Sequence, residues 1–85
     1  MNEIVWTTRA LKQARKIKAA QECADLFDAV QALKSFPDCS NVKALVNHEY
    51  QYRLRVGRYR VFFDFDGAVR IIVVQEVRKR DERTY

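Results

Sequence analysis

The apolar residues of this chain change their spacing at Pro37, its single proline, and that change limits the folds open to it. Before Pro37 the apolar positions recur at helical intervals. Ala10, Leu11, Ala14 and Ile17 follow Thr7 and Thr8, either of which can cap a helix, and the opposite face reads Arg9, Lys12, Arg15, Lys16. A second helix is predicted from Ala20 to Phe36, with the stripe Cys23, Leu26, Phe27, Val30, Leu33, stopped by Pro37. After Val42 the period is two. Tyr50 to Val56, Tyr59 to Phe65 and Ala68 to Val77 are rich in Tyr, Phe, Val and Ile, and Gly57-Arg58 and Asp66-Gly67 separate them. Both pairs are expected to form two-residue hairpins, Asp66-Gly67 giving the stronger signal because both central positions of the favoured turn need positive φ. Glu3 to Trp6 reads as a further short strand. The expected fold is α+β: an N-terminal strand and a two-helix hairpin packed on a mainly antiparallel sheet of about four strands, in one domain spanning residues 1–85.

With 48% hydrophobic and 32% charged residues, the chain is globular and not a disordered tail. Sixteen Lys and Arg against eleven Asp and Glu leave a formal +5, so a polyanion or an acidic protein is the partner that long-range attraction favours. The surplus lies mainly after residue 42, where ten basic residues face six acidic ones. No apolar run approaches the ~20 residues of a membrane span, and the opening MNEIVWTTRALK lacks the basic-then-apolar order of a secretory signal, so a cytoplasmic location is expected. Cys23 and Cys39 have no Cys or His neighbours at ligand spacing. A zinc site and a disulfide framework are therefore not expected, nor any metal or cofactor, and Cys23 reads as core.

The residues that could carry chemistry gather around Gly57. A two-residue loop there pairs Val56 with Tyr59, Arg55 with Arg60 and Leu54 with Val61, and directly opposed residues share a face. Arg53, Arg55 and Arg60 then stand together. Like charges opposed on neighbouring strands cost stability, so such a patch suggests an anion, and guanidinium forks match phosphate oxygens two at a time. A cluster of this kind stabilises the added charge of a pentacovalent phosphorane in RNA cleavage. Phe62 on the same face is a candidate base-stacking surface. The plainer reading makes these arginines the solvated side of an amphipathic sheet, paired with Asp64 or Glu76. A second basic group, Arg78, Lys79, Arg80, Arg83 and Tyr85, is suited to a phosphate backbone and one stacked base.

These residues carry a family resemblance. Val42 to Tyr85 resembles the C-terminal half of the RelE/ParE toxins: a Lys-x-Leu element opened by Lys43, the string Tyr-Arg-Leu-Arg-Val-Gly-x-Tyr-Arg at Tyr52 to Arg60, a hairpin and a closing Lys-Arg motif. The resemblance implies the RelE-like microbial RNase fold and a toxin neutralised by a cognate antitoxin. The ending Lys79-Arg80-x-x-Arg83-x-Tyr85 is similar to that of the RelE-type mRNA interferases. The resemblance thus implies attack of an RNA 2′-OH on the adjacent phosphate of a codon in the ribosomal A site, with Arg60 clamping the phosphate, Arg80 stabilising the leaving group and Tyr85 placing a nucleotide. Lys43, Phe62, Arg78, Lys79 and Arg83 are the expected RNA contacts. Arg53 and Arg55 fall where RelE has lysines. Arginine keeps its charge, so both are expected to stabilise charge while His48, Glu49 or a ribosomal RNA group serves as base. Two other readings share the pattern: a ParE-type gyrase poison, which needs no catalytic cluster, and a module that binds RNA without cutting it.

Overall fold

The computed structural model describes residues 1–79. Its elements run β1 (Glu3–Trp6), α1 (Thr8–Arg15), α2 (Ala20–Gln31), β2 (Val42–Ala44), β3 (Tyr52–Val56), β4 (Tyr59–Asp66) and β5 (Ile71–Lys79). The sheet has five strands in the order β1-β5-β4-β3-β2, with β1 parallel to β5 and the other pairs antiparallel. It exceeds the expected four by β2, only three residues long, which pairs with β3 at the open edge. Among the described residues no helix is long and apolar enough to cross a membrane.

Thr7 caps α1 by accepting the Ala10 N–H at 3.1 Å. Ala10 and Ala14, both fully buried, let this short helix lie close on β5. There Gln13 accepts the Val77 N–H at 2.7 Å, satisfying a strand donor beyond the end of β1. The expected second helix is not continuous to Phe36. It ends at Gln31 and tightens into a 3₁₀ turn, Ala32–Ser35. The buried Asn2 secures this turn, its side-chain amide donating to the Leu33 carbonyl at 3.2 Å and to the Phe36 carbonyl at 2.8 Å. Pro37 has no N–H to continue the α-helical ladder at Leu33, and the Phe36 N–H takes that carbonyl at 2.9 Å in the tighter 3₁₀ pattern.

Leu26, Val30 and Leu33 meet Val61, Phe63, Ile72 and Val74 in the core, each worth roughly 1.5–3 kcal/mol of burial. The Phe36 ring closes one end, edge-on to Tyr52, Phe63 and Phe65 at 4.9–5.5 Å. Val74 and Val77 are both buried although three residues apart, a separation that regular alternation puts on opposite faces. A bulge at Gln75, opposite Phe62 and Phe63, resets the alternation.

The two hairpins behave unequally. Gly57-Arg58 is a two-residue loop, with Gly57 at φ +56° and Val56 opposite Tyr59, so the register expected from the sequence holds. The Asp66-Gly67 expectation fails: Asp66 pairs with Ile71, leaving a four-residue loop, Gly67 to Arg70. The Asp66 carboxylate accepts the Ala68 N–H at 3.0 Å, and the positive φ falls on Arg70, at 57°. The Asp side chain thus organises a longer turn instead of entering a tight one. Both cysteines are free. Cys23 is half-buried and not a full core residue, its thiol 3.6 Å from the Ala14 carbonyl, and burial pushes the Cys39 thiol up.

Candidate functional site

The register of β3, β4 and β5 builds two rows on the sheet face away from the core. Arg55 is opposite Arg60, and Arg60 is opposite Arg78, so one row is arginine across three strands. The next row runs Lys43, Arg53, Phe62, Glu76. Arg53, Arg55 and Arg60 line a cavity of about 170 Å³ with Gly57 and Tyr59. Among the described residues no carboxylate pairs with any of these three. The Arg53 Nε is buried without a hydrogen-bond partner, a donor that its surroundings leave unsatisfied.

The carboxylates that would have made this an ordinary salt-bridged surface are engaged elsewhere. Asp64 accepts the Gln51 N–H at 2.8 Å and the Gln75 amide at 3.1 Å. Glu76, 8% exposed, accepts the Tyr50 hydroxyl at 2.8 Å and the Arg78 Nε, with Arg9 at 3.5 Å. The Arg78 hydrogen bond holds the Glu76 carboxyl below the usual carboxylate range, opposed by burial and helped by Tyr50. In return Glu76 raises both the Tyr50 phenol and the Arg78 guanidinium above their ordinary values. Arg78 also reaches Glu49 at 3.4 Å, so its charge is largely compensated, unlike those of Arg55 and Arg60.

Phe62 lies on the expected face but is not the open stacking surface the sequence suggested. It is 5% exposed, because His48 stacks on it at 5.2 Å and 11° while the Arg78 guanidinium sits 5.2 Å from its centre. The ring is a floor that positions those two side chains. The His48 Nδ1 accepts the Tyr50 N–H at 3.1 Å. That bond commits the Nδ1 lone pair to the backbone and holds the ring in place over Phe62. Glu49 is exposed. Lys43 joins the arginine face, whereas Lys79, opposite Tyr59, alternates to the other side of β5 from Arg78. Arg80, Arg83 and Tyr85 lie outside the described residues.

Sequence reasoning missed the linking role of Tyr50, Glu76 and Arg9. One signal was available for Glu76, a carboxylate inside the apolar run IIVVQEV, since a charge buried in a strand requires partners.

Over residues 4–84 the sequence matches the family described as "ParE toxin of type II toxin-antitoxin system, parDE". The chain belongs to this ParE toxin family. No curated protein sequence matches it. Solved structures share its fold. The isolated Escherichia coli RelE toxin is 17% identical at a TM-score of 0.81, covering 99% of this chain and 89% of that one. A chain of the archaeal RelE-RelB complex from Pyrococcus horikoshii OT3 is 16% identical at 0.79, covering 95% and 97%. A chain of the intact E. coli RelBE toxin-antitoxin complex is 22% identical at 0.74, covering 98% and 100%. In this member of the ParE toxin family, the arginines without a carboxylate partner among the described residues therefore sit on a RelE-like sheet, on the face that the helices leave uncovered.

Proposed function

We propose that this toxin cleaves mRNA in the ribosomal A site, with Arg53, Arg55 and Arg60 receiving the scissile phosphate. The observation that carries this reading is the cavity of about 170 Å³ lined by three arginines with no carboxylate partner among the described residues. Three fixed positive charges stabilise a phosphorane more than they stabilise a ground-state diester, because the transition state carries the extra charge. The 2′-OH attacks the adjacent phosphorus and the 5′-oxygen departs. Arginine does not lose its proton at neutral pH, so the cluster supplies charge stabilisation, and the 2′-OH proton leaves to a base outside it. Arg80 and Tyr85 complete the reading at the leaving group and the flanking nucleotide. A cognate antitoxin, by analogy with the RelE-RelB and RelBE complexes, would neutralise the toxin by covering the same basic face, its acidic charge steering association.

The family description favours a second reading, a gyrase-directed poison. The two separate in a purified translation reaction with defined mRNA, with and without ribosomes, comparing wild type with an Arg60→Ala, Arg80→Ala double variant. Cuts within codons that need both ribosomes and the wild-type chain support cleavage. Intact mRNA, with induction of a DNA-damage response on expression, selects gyrase instead.

A further inference from the structure

The arginine row does not end at β5. Beyond the edge of that strand lies α1, tied to it by Arg9, which reaches Glu76 at 3.5 Å and the Tyr50 hydroxyl at 3.5 Å, and by Gln13, which holds the Val77 N–H. At ~100° per residue, Lys12 and Lys16 stand three and seven positions after Arg9 and share its side of the helix. Arg9, Lys12 and Lys16 are all exposed, and α1 contains no acidic residue. Lys12 and Lys16 have no ion-pair partner among the described residues. We infer that this side of α1 is a second RNA-binding surface, which takes the phosphate backbone of the strand held at Arg55 and Arg60 after it crosses β5 at Arg78.

The inference rests on the RNA reading above and extends it to the path of the strand. Strands are ~4.8 Å apart, so Arg55 to Arg78 spans about 10 Å, and seven helical residues from Arg9 to Lys16 add about as much again. Arg55 and Arg60 at one end and Lys12 and Lys16 at the other have no ion-pair partner among the described residues, while Arg78 and Arg9 between them share Glu76; two charged ends at this separation fit a linear polyanion. On α1 itself RNA is the better occupant than a protein, because the free charge there is Lys12 and Lys16, and lysine is depleted at the cores of protein interfaces. The like charges of Lys12 and Lys16, one turn apart, repel each other, and a bound phosphate removes that repulsion.

The test uses the full chain and 2′-O-methyl RNA, which lacks the attacking hydroxyl, in lengths of about three and about twelve nucleotides, followed by fluorescence anisotropy over a range of salt. Wild type should bind the longer probe more tightly, with a steeper salt dependence. In Lys12→Ala, Lys16→Ala that advantage should collapse, and the slope of log affinity against log salt should shrink by about 1.4, the loss of two single-strand phosphate contacts. Lys12→Arg, Lys16→Arg should restore both. Equal affinity and slope for wild type and the alanine variant on the longer probe would overturn the inference and leave the proposed site standing. If Arg55→Ala, Arg60→Ala also changes nothing for either probe, the RNA reading itself fails. If the alanine variant keeps its RNA binding but loses its antitoxin, α1 is a protein-docking surface and the inference is wrong.

Discussion

Replacing Arg60 with Gln should sharply reduce cleavage and yet make the free protein more stable. Arg60 stands between Arg55 and Arg78 in the pairing of β3, β4 and β5. Arg78 is compensated by Glu76 and Glu49, so the repulsion that counts is the Arg55 pair. A like-charge pair directly opposed across strands costs about 0.2–1 kcal/mol. Gln keeps most of the aliphatic stem and removes the charge, for a gain near ~0.5 kcal/mol at low salt. In a domain of this size 1 kcal/mol shifts Tm by about 4–8 °C, so the gain reads as roughly 2–4 °C. Thermal unfolding followed by circular dichroism in phosphate-free buffer measures it. Raising salt from about 10 mM to about 1 M shrinks the Debye length from ~30 Å to ~3 Å, so the wild-type Tm should climb towards that of the variant. Cleavage, measured in the translation reaction, should fall by about 100-fold or more, the loss of one preorganised donor to the phosphorane. A lower Tm for Arg60→Gln at low salt, or a gain that salt leaves unchanged, would refute the reasoning. Arg60 would then be a structural residue, and the cluster would no longer imply an absent anion.

Glu76→Gln removes a carboxylate whose pKa the fold lowers, and a lowered acid stabilises above its ordinary range and loses that contribution as pH falls through the folded value. The wild-type stability advantage over this variant, about 1–2 kcal/mol after allowing for the exposure of Arg9 and Arg78, should be present at pH 7 and fade below about pH 4 in urea titrations. Gly57→Ala should cost about 1–2 kcal/mol, since an added Cβ meets nothing within 4 Å and only the φ of +56° opposes it; a change in urea midpoint near zero would show that the turn adapts. Gln13→Ala strips the Val77 N–H of its partner and should lower stability by about 1–2 kcal/mol while raising hydrogen-exchange rates at Val77 selectively. Phe63→Ala, at a fully buried ring, should cost about 3–5 kcal/mol, read as a large drop in urea midpoint or in soluble yield.

The sequence by itself determined the division of labour along the chain and the register that matters most. Helical spacing up to Pro37 and period-two spacing after Val42 are local properties, and each segment took that form over most of its length, α2 stopping at Gln31 and the last strand starting at Ile71. The Gly57-Arg58 loop carried the arginines onto one face because pairing from a two-residue turn is arithmetic: Arg55 must meet Arg60. Where a side chain claimed the backbone groups at the end of an element, the sequence misled. Asn2, more than thirty residues away, takes the Leu33 and Phe36 carbonyls at the 3₁₀ turn that ends the second helix, and the Asp66 side chain closes a longer loop than Asp-Gly implied.

Only the tertiary structure decided which charges are spent and which remain. Asp64 and Glu76 were equally plausible partners for the arginines on paper. Folding gives Asp64 to Gln51 and Gln75, and Glu76 to Tyr50, Arg78 and Arg9, leaving Arg53, Arg55 and Arg60 around a cavity with no carboxylate among the described residues. It also lays His48 over Phe62, burying the ring that alternation had placed on the surface. The reason is physical. Alternation fixes the face of a side chain, but its partner depends on which long side chains from other strands, loops and helices reach it first, and that competition is settled in three dimensions.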